Sequence, residues 1–195
     1  MITSANKRHQ PGRVDVDGID VVYVKNPAYS NYLPVVKKVW SFVAFIHNAI
    51  RAASKEKNVD FVYATSTPLT IGAVALWLKK FKKWKYIFEV RDLWPEFPIE
   101  TGAIKNKIAI KFLLKFEKCI YDNSEMVALS PGMKEGVMKA GTPEGKISMI
   151  PNMAKPDIFF PHERNFEIAK QFGIDLTKFN VIHFASMRRA NAVYH

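Results

Sequence analysis

Four short runs rich in β-branched and aromatic residues recur along the chain, with helix-length stretches between most of them: VDFVYAT (59–65), KYIFEV (85–90), EMVALS (125–130) and KISMIP (146–151). Strands separated in this way cannot pair through tight hairpins. Each needs a crossover connection, and a crossover brings the chain back in the same direction. The alternation therefore predicts an α/β domain with a mainly parallel sheet.

The intervening segments fit that scheme. GRVDVDGIDVVYV (12–24) alternates with period two on both sides of Asp17-Gly18, which predicts a hairpin or two edge strands. PVVKKVWSFVAFIHNAIRAAS (34–54) reads as a long helix, and a second runs from about Lys105 to Tyr121. Thr67-Pro68 and Ser130-Pro131 place a hydroxyl at a cap position and proline at the first helical position of two more helices. AKPDIFFPHERN (154–165) has the prolines and mixed charge of a linker. NFEIAKQFGI then reads as a short helix and FNVIHFAS (179–186) as a new buried strand, followed by only nine residues. The expected division is a domain over 1–161 and, over 162–195, a linker helix and the start of a second domain.

Charge narrows the partners. Twenty-nine Lys and Arg against eighteen Asp and Glu give +11, which favours an anionic partner: nucleic acid, an acidic membrane or a phosphorylated small molecule. A single cysteine, Cys119, rules out an internal disulfide framework and fits a reducing compartment. The five histidines are scattered without HxxxH or HExxH spacing, so no metal is expected. No stretch offers the roughly 20 apolar residues of a spanning helix, and the N-terminus has no apolar core of a signal peptide.

In an open parallel sheet ligands bind beyond the carboxyl ends of the strands. The chain leaves those ends through TSTP (65–68), RDLWPE (91–96), SPGM (130–133) and PNM (151–153). Ser66, Thr67, Ser130 and Asn152 are the candidate substrate-binding residues of three loops, and the two capped helix starts suit a phosphate as well as they suit ordinary capping. The RDLWPE loop has two readings. In one it is a salt-bridged turn, with Arg91 paired to Asp92 or Glu96 and Trp94 plugging the core. In the other it is a polar edge for a hydroxylated substrate, with Asp92 and Glu96 as acceptors or base and Arg91 and Trp94 as binding residues. Two carboxylates in one short loop are poorly placed for opposite faces of a sugar, which argues against glycoside hydrolysis.

The lysines cluster. Lys79, Lys80, Lys82, Lys83 and Lys85 surround Phe81 and Trp84, and Lys107, Lys111, Lys115 and Lys118 form one stripe of a helix whose other stripe is Ile104, Ile108, Phe112, Phe116 and Ile120. These are either solvated faces or surfaces for an anionic membrane. The interleaved KKFKKWKY also suits a single-stranded nucleic acid, although no nucleic-acid recognition motif accompanies it.

YATSTPLTIGAVAL, FEVRDLWPE, GAIKNKIAIKFLLKFEKCIY, ALSPGMKEGVMKAG and KISMIPNMAKPDIFFP, in that order, resemble the N-terminal half of the family 4 (group 1) glycosyltransferases of the GT-B fold. HFASMRRANAVYH resembles the start of that family's donor-binding domain, with Arg188 where the family has glycine. The resemblance implies a Rossmann-like acceptor-side domain and retaining transfer of a sugar from a nucleotide-sugar, UDP-linked and without metal. The implied acceptor is a polyprenyl-linked glycan of bacterial surface polysaccharide synthesis. It further implies a cytoplasmic protein held peripherally on the inner face of the cell membrane, with no nucleic-acid partner. The family's opening strand with its glycine-rich loop, and most of its donor domain, are not in this sequence. The expectation is a fragment that transfers no sugar alone, with an inactive remnant or one half of a split enzyme as alternatives.

Overall fold

Asp17 and Gly18 both adopt left-handed backbone, with φ of 52° and 79°, as a two-residue hairpin turn requires. The turn joins two antiparallel strands, and the Asp15 carboxylate accepts from the Gly18 N–H at 3.0 Å. The hairpin is the first recognisable unit of the computed structural model, which describes residues 1–6, 8–27, 33–66, 68–102 and 104–181.

In chain order the elements are β1 (Ile2–Ser4), β2 (Gly12–Val16), β3 (Ile19–Val24), α1 (Val35–Ala53), β4 (Phe61–Thr65), α2 (Ile71–Lys82), β5 (Lys85–Val90), α3 (Glu96–Glu100), α4 (Lys107–Asp122), β6 (Glu125–Ala128), α5 (Pro131–Lys139), β7 (Ile147–Met149) and α6 (Phe166–Gln171). The strands form two sheets. One is mixed, in the order β1-β3-β2, and the other is wholly parallel, in the order β4-β5-β6-β7. The α/β, Rossmann-like, mainly parallel expectation therefore holds. Strand β1, which pairs Ile2 with Val22, had no counterpart in the sequence reading.

The parallel sheet steps in one direction, from β4 to β7, so right-handed crossovers carry α2, α4 and α5 to the same face. That face holds the core: Ala64, Tyr86, Phe88, Val90, Met126, Ala128 and Ile147 alternate along the strands and are buried. On the opposite face Phe61, Tyr63, Lys85, Glu125 and Ser148 are exposed, while Val127 is buried.

Two glycines set how closely the helices pack. A Cβ on Gly72 of α2 would lie 2.3 Å from Ile120 Cδ1 of α4, and one on Gly136 of α5 would lie 2.5 Å from Leu93 Cδ1. The C-terminal end of α4 is tied down through its carbonyls. Tyr86 Oη donates to the Ile120 carbonyl at 2.7 Å, Ser124 Oγ donates to the same carbonyl at 3.0 Å, and Lys79 Nζ donates to that of Asn123 at 2.5 Å. Burial pushes the Tyr86 phenol pKa up, so its proton stays in place for this bond.

Helix α5 starts as expected, with Ser130 Oγ accepting from the Met133 N–H and Pro131 in the first turn. Helix α4 is capped by Asn106, whose side chain accepts from the N–H groups of Ile108 and Ala109. The α2 helix proper begins at Ile71 rather than Pro68. Pro68 to Thr70 form a tighter turn, with Ile71 N–H donating to the Pro68 carbonyl, and Thr67 lies outside the described residues.

The chain divides into Met1–Asn152 and Met153–His195. The second unit contains α6, capped by the Asn165 side chain on the Ile168 N–H, and a turn in which Asp175 accepts from Thr177. Those bonds hold the Asp175 carboxyl pKa below its usual value. Phe179 to Val181 form no strand, and the rest of FNVIHFAS, with Arg188, lies outside the described residues.

Candidate active-site edge

The four polar loops come together because β4 to β7 are parallel and in register. Thr65 pairs with Glu89, Val90 with Ala128, and Ala128 with Met149, so the residues that follow each strand emerge at one edge. Hydrogen bonds extend the order past the strand ends. Ser66 N–H donates to the Glu89 carbonyl at 2.8 Å, Arg91 N–H to Ser66 Oγ at 2.8 Å, and Ile150 N–H to the Ala128 carbonyl at 2.9 Å.

The individual residues take different positions along this edge. Ser66 is 1% exposed, and its hydroxyl oxygen is engaged by the Arg91 backbone. Arg91, Asp92 and Glu96 are exposed, and so is Asn152. Ser130 is half-buried at its cap position. Leu93 and Trp94 turn inward and pack against the core, followed by a cis Trp94-Pro95 bond and a buried Pro95. Glu96 is the first residue of the short helix α3. The loop thus has an inward apolar side, Leu93, Trp94 and Pro95, and an outward charged side, Arg91 and Asp92. The Tyr63 phenol, on the neighbouring strand, has a raised pKa through burial and the nearby Glu89 charge, opposed by Arg91.

Two residues absent from the sequence-based site lie next to it. Glu117 of α4 is 7% exposed. Burial pushes its carboxyl up to about 7; a hydrogen bond with Tyr121 opposes the shift, and the charge of Glu96 adds to it. The Tyr121 phenol is raised in turn, by burial first and then by Glu117. The signal was present in the sequence, because Leu113, Glu117 and Tyr121 repeat at i, i+4, i+8 and so share the inward side of α4. Glu117 is thus a buried carboxyl of α4 within the electrostatic reach of Glu96.

The lysine clusters are of two kinds. On α2, Lys79 and Lys82 are partly used internally, Lys79 on the Asn123 carbonyl and Lys82 on that of Ser54 at 3.0 Å. Lys80, Lys83 and Lys85 are exposed. On α4, Lys107, Lys111 and Lys115 are exposed, and so are Ile108 and Phe112 of the apolar stripe. An open groove of about 440 Å³ runs beside α4, lined by Ile110, Leu114, Glu117 and Ala140 among the lysines. Among the described residues no three His, Cys, Asp or Glu side chains are grouped to hold a metal ion, and no helix is long and apolar enough to cross a membrane.

Comparison with known proteins agrees with this architecture. Crystal structures of Anabaena HepE, one in complex with UDP and glucose and one with UDP-glucose, superpose with TM-scores of 0.53 and 0.52 at 11% and 12% identity. Each match covers 80% of this chain and 37% of HepE. At this identity the likeness establishes the fold. None of the curated proteins matches the chain. The model of the glycosyl transferase 4-like domain matches residues 1–153, and the chain belongs to that family.

Proposed function

We propose that this chain forms the acceptor-side domain of a glycosyltransferase that moves a sugar from a nucleotide-sugar, UDP-linked, to a lipid-linked glycan acceptor. The observation that carries the reading is that Ser66, RDLWPE, Ser130 and Asn152 follow the ends of four parallel strands at one sheet edge, in a domain of this family. UDP-glucose is what HepE is seen to bind, and the fold likeness lends that donor class to the proposal.

In this reading Asp92 and Glu96 accept hydrogen bonds from the acceptor hydroxyls, and one of them takes the proton as the new bond forms. Arg91 and the α5 N-terminus beside Ser130 face the phosphates, while Trp94 stiffens the loop from below. No step calls for a metal. The exposed lysines of α4 (Lys107, Lys111, Lys115) and of the α2 end (Lys80, Lys83, Lys85) hold the domain peripherally on an anionic membrane, the cytoplasmic face of the cell membrane, where the acceptor resides.

The test uses a full-length family member carrying the same loops, in which the change equivalent to Asp92→Asn lowers transfer by about 100-fold or more with an unchanged melting temperature. Activity within a few-fold of wild type makes the loop structural.

A further inference from the structure

Asp92 stands between two anchors that belong to different elements. Before it, the Arg91 N–H donates to Ser66 Oγ at 2.8 Å and ties the loop to the end of β4. After it, Leu93 rests on α5 at Gly136, where a Cβ would lie 2.5 Å from Leu93 Cδ1, 2.7 Å from Cδ2 and 3.2 Å from Cγ. Gly136 lies inside α5 and is not among the glycines with left-handed backbone. A helix interior of that kind favours almost any residue over glycine. What the missing Cβ provides there is the seat of Leu93.

We propose that Gly136 and Leu93 are positioning residues of the candidate site: the leucine seated on the bare helix backbone fixes where Asp92 stands relative to α5 and its N-terminus at Ser130. The proposal deepens the functional reading and rests on it, since Asp92 and the α5 N-terminus act there on one transfer. The contact leaves little play. Both terminal methyls and the branch carbon lie within 3.2 Å of the missing Cβ, so turning Leu93 about its last bond exchanges one methyl for the other and relieves nothing. Leu93, Trp94 and Met133 already pack against the core, so a displaced leucine carries its chain neighbours outward, and the nearest of these is the exposed Asp92. Misplacing a reacting group by about 1 Å costs up to about 100-fold in rate. A single methyl on α5 is therefore enough to be felt at the loop.

Amide exchange of the full chain, with transfer kinetics of a full-length family member that has the same leucine and glycine, tests the proposal. Gly136→Ala speeds exchange of the Arg91 amide about ten-fold, because the loop is pushed off Ser66 Oγ. In the full-length protein it lowers kcat about ten-fold or more, with KM for the nucleotide-sugar within about three-fold, at a temperature where circular dichroism shows the variant folded. Adding Leu93→Val withdraws the two atoms nearest the new methyl in a volume-conserving exchange, and both readouts return to within about three-fold of wild type. Gly132→Ala, where a Cβ meets nothing within 4 Å, leaves Arg91 exchange as it was. Leu93→Ala empties the seat without a clash and gives the same two losses even if Gly136→Ala does not fold. Unchanged Arg91 exchange in Gly136→Ala or Leu93→Ala overturns the proposal, as does a double variant no better than Gly136→Ala. So does an unchanged kcat in a protein that Asp92→Asn inactivates. If Asp92→Asn has no effect while Arg91 exchange still follows Gly136, the enzymatic reading fails and the anchor stands.

Discussion

Ser66 and Arg91, 25 residues apart, are joined by a 2.8 Å hydrogen bond from the Arg91 backbone N–H to the Ser66 hydroxyl oxygen. The bond closes the gap between the loops after β4 and β5 just beyond the last paired residues, and its serine end is buried, with Ser66 1% exposed. The serine therefore serves to hold the charged loop in place.

Ser66→Ala leaves the Arg91 N–H without its buried partner. The expected cost is about 1–3 kcal/mol, read as a lower urea midpoint at constant slope. Faster amide exchange at Arg91 should accompany it. Unchanged stability would mean that the loop is held by Leu93 and Trp94 alone.

Gly72→Ala sets helix propensity against packing. Alanine gains up to about 1 kcal/mol in a helix interior, but its Cβ would meet Ile120 Cδ1 at 2.3 Å and Cγ1 at 2.7 Å. Ile120 is fully buried and cannot swing away. Overpacking wins, with a net loss of about 1–3 kcal/mol. Ile120→Val removes the nearer of the two atoms, so the double mutant should recover part of the loss in a thermal or urea melt.

Glu117 makes stability depend on pH. Burial raises its carboxyl from an ordinary 4.5 to about 7 in the folded chain, so the native state holds its proton where the unfolded chain has released it. Stability from this residue is therefore full below about pH 4.5 and falls as pH rises to about 7, by a few kcal/mol at most. Glu117→Gln should match wild type near pH 4.5 and be more stable at pH 8, as urea melts at the two pH values would show. Glu96→Gln removes a like charge, so the Glu117 titration, followed by carboxyl carbon NMR, should move down.

The elements legible in the sequence were those whose signals are local. Asp17-Gly18 specified its turn, KYIFEV its strand at Lys85–Val90, and Ser130-Pro131 its helix start, each through backbone chemistry within a few residues. The RDLWPE and SPGM loops were legible as a group because parallel strands send their carboxyl ends to one edge. Other features depend on distant partners. Strand β1 exists only through its pairing with β3, which no alternation in MITS announces. Ser66 read as a candidate substrate-binding residue, and its bond to the Arg91 backbone was not legible because the partner is 25 residues away. The apolar stripe of α4 is divided in a way its spacing does not announce: Ile120 is buried in the core while Ile108 and Phe112 are exposed.

Strand β4 has one more consequence. Among the described residues it pairs with β5 alone, and Phe61 and Tyr63 stand exposed along it at 55% and 51%. One side of its backbone therefore keeps a row of donors and acceptors beside two aromatic rings, with neither proline nor lysine within Phe61–Thr65 to discourage a visitor. Such a margin recruits any extended chain it meets. At rising concentration the solubility of this protein should be set by that margin, and turbidity should follow the fate of five residues rather than the net charge of the whole.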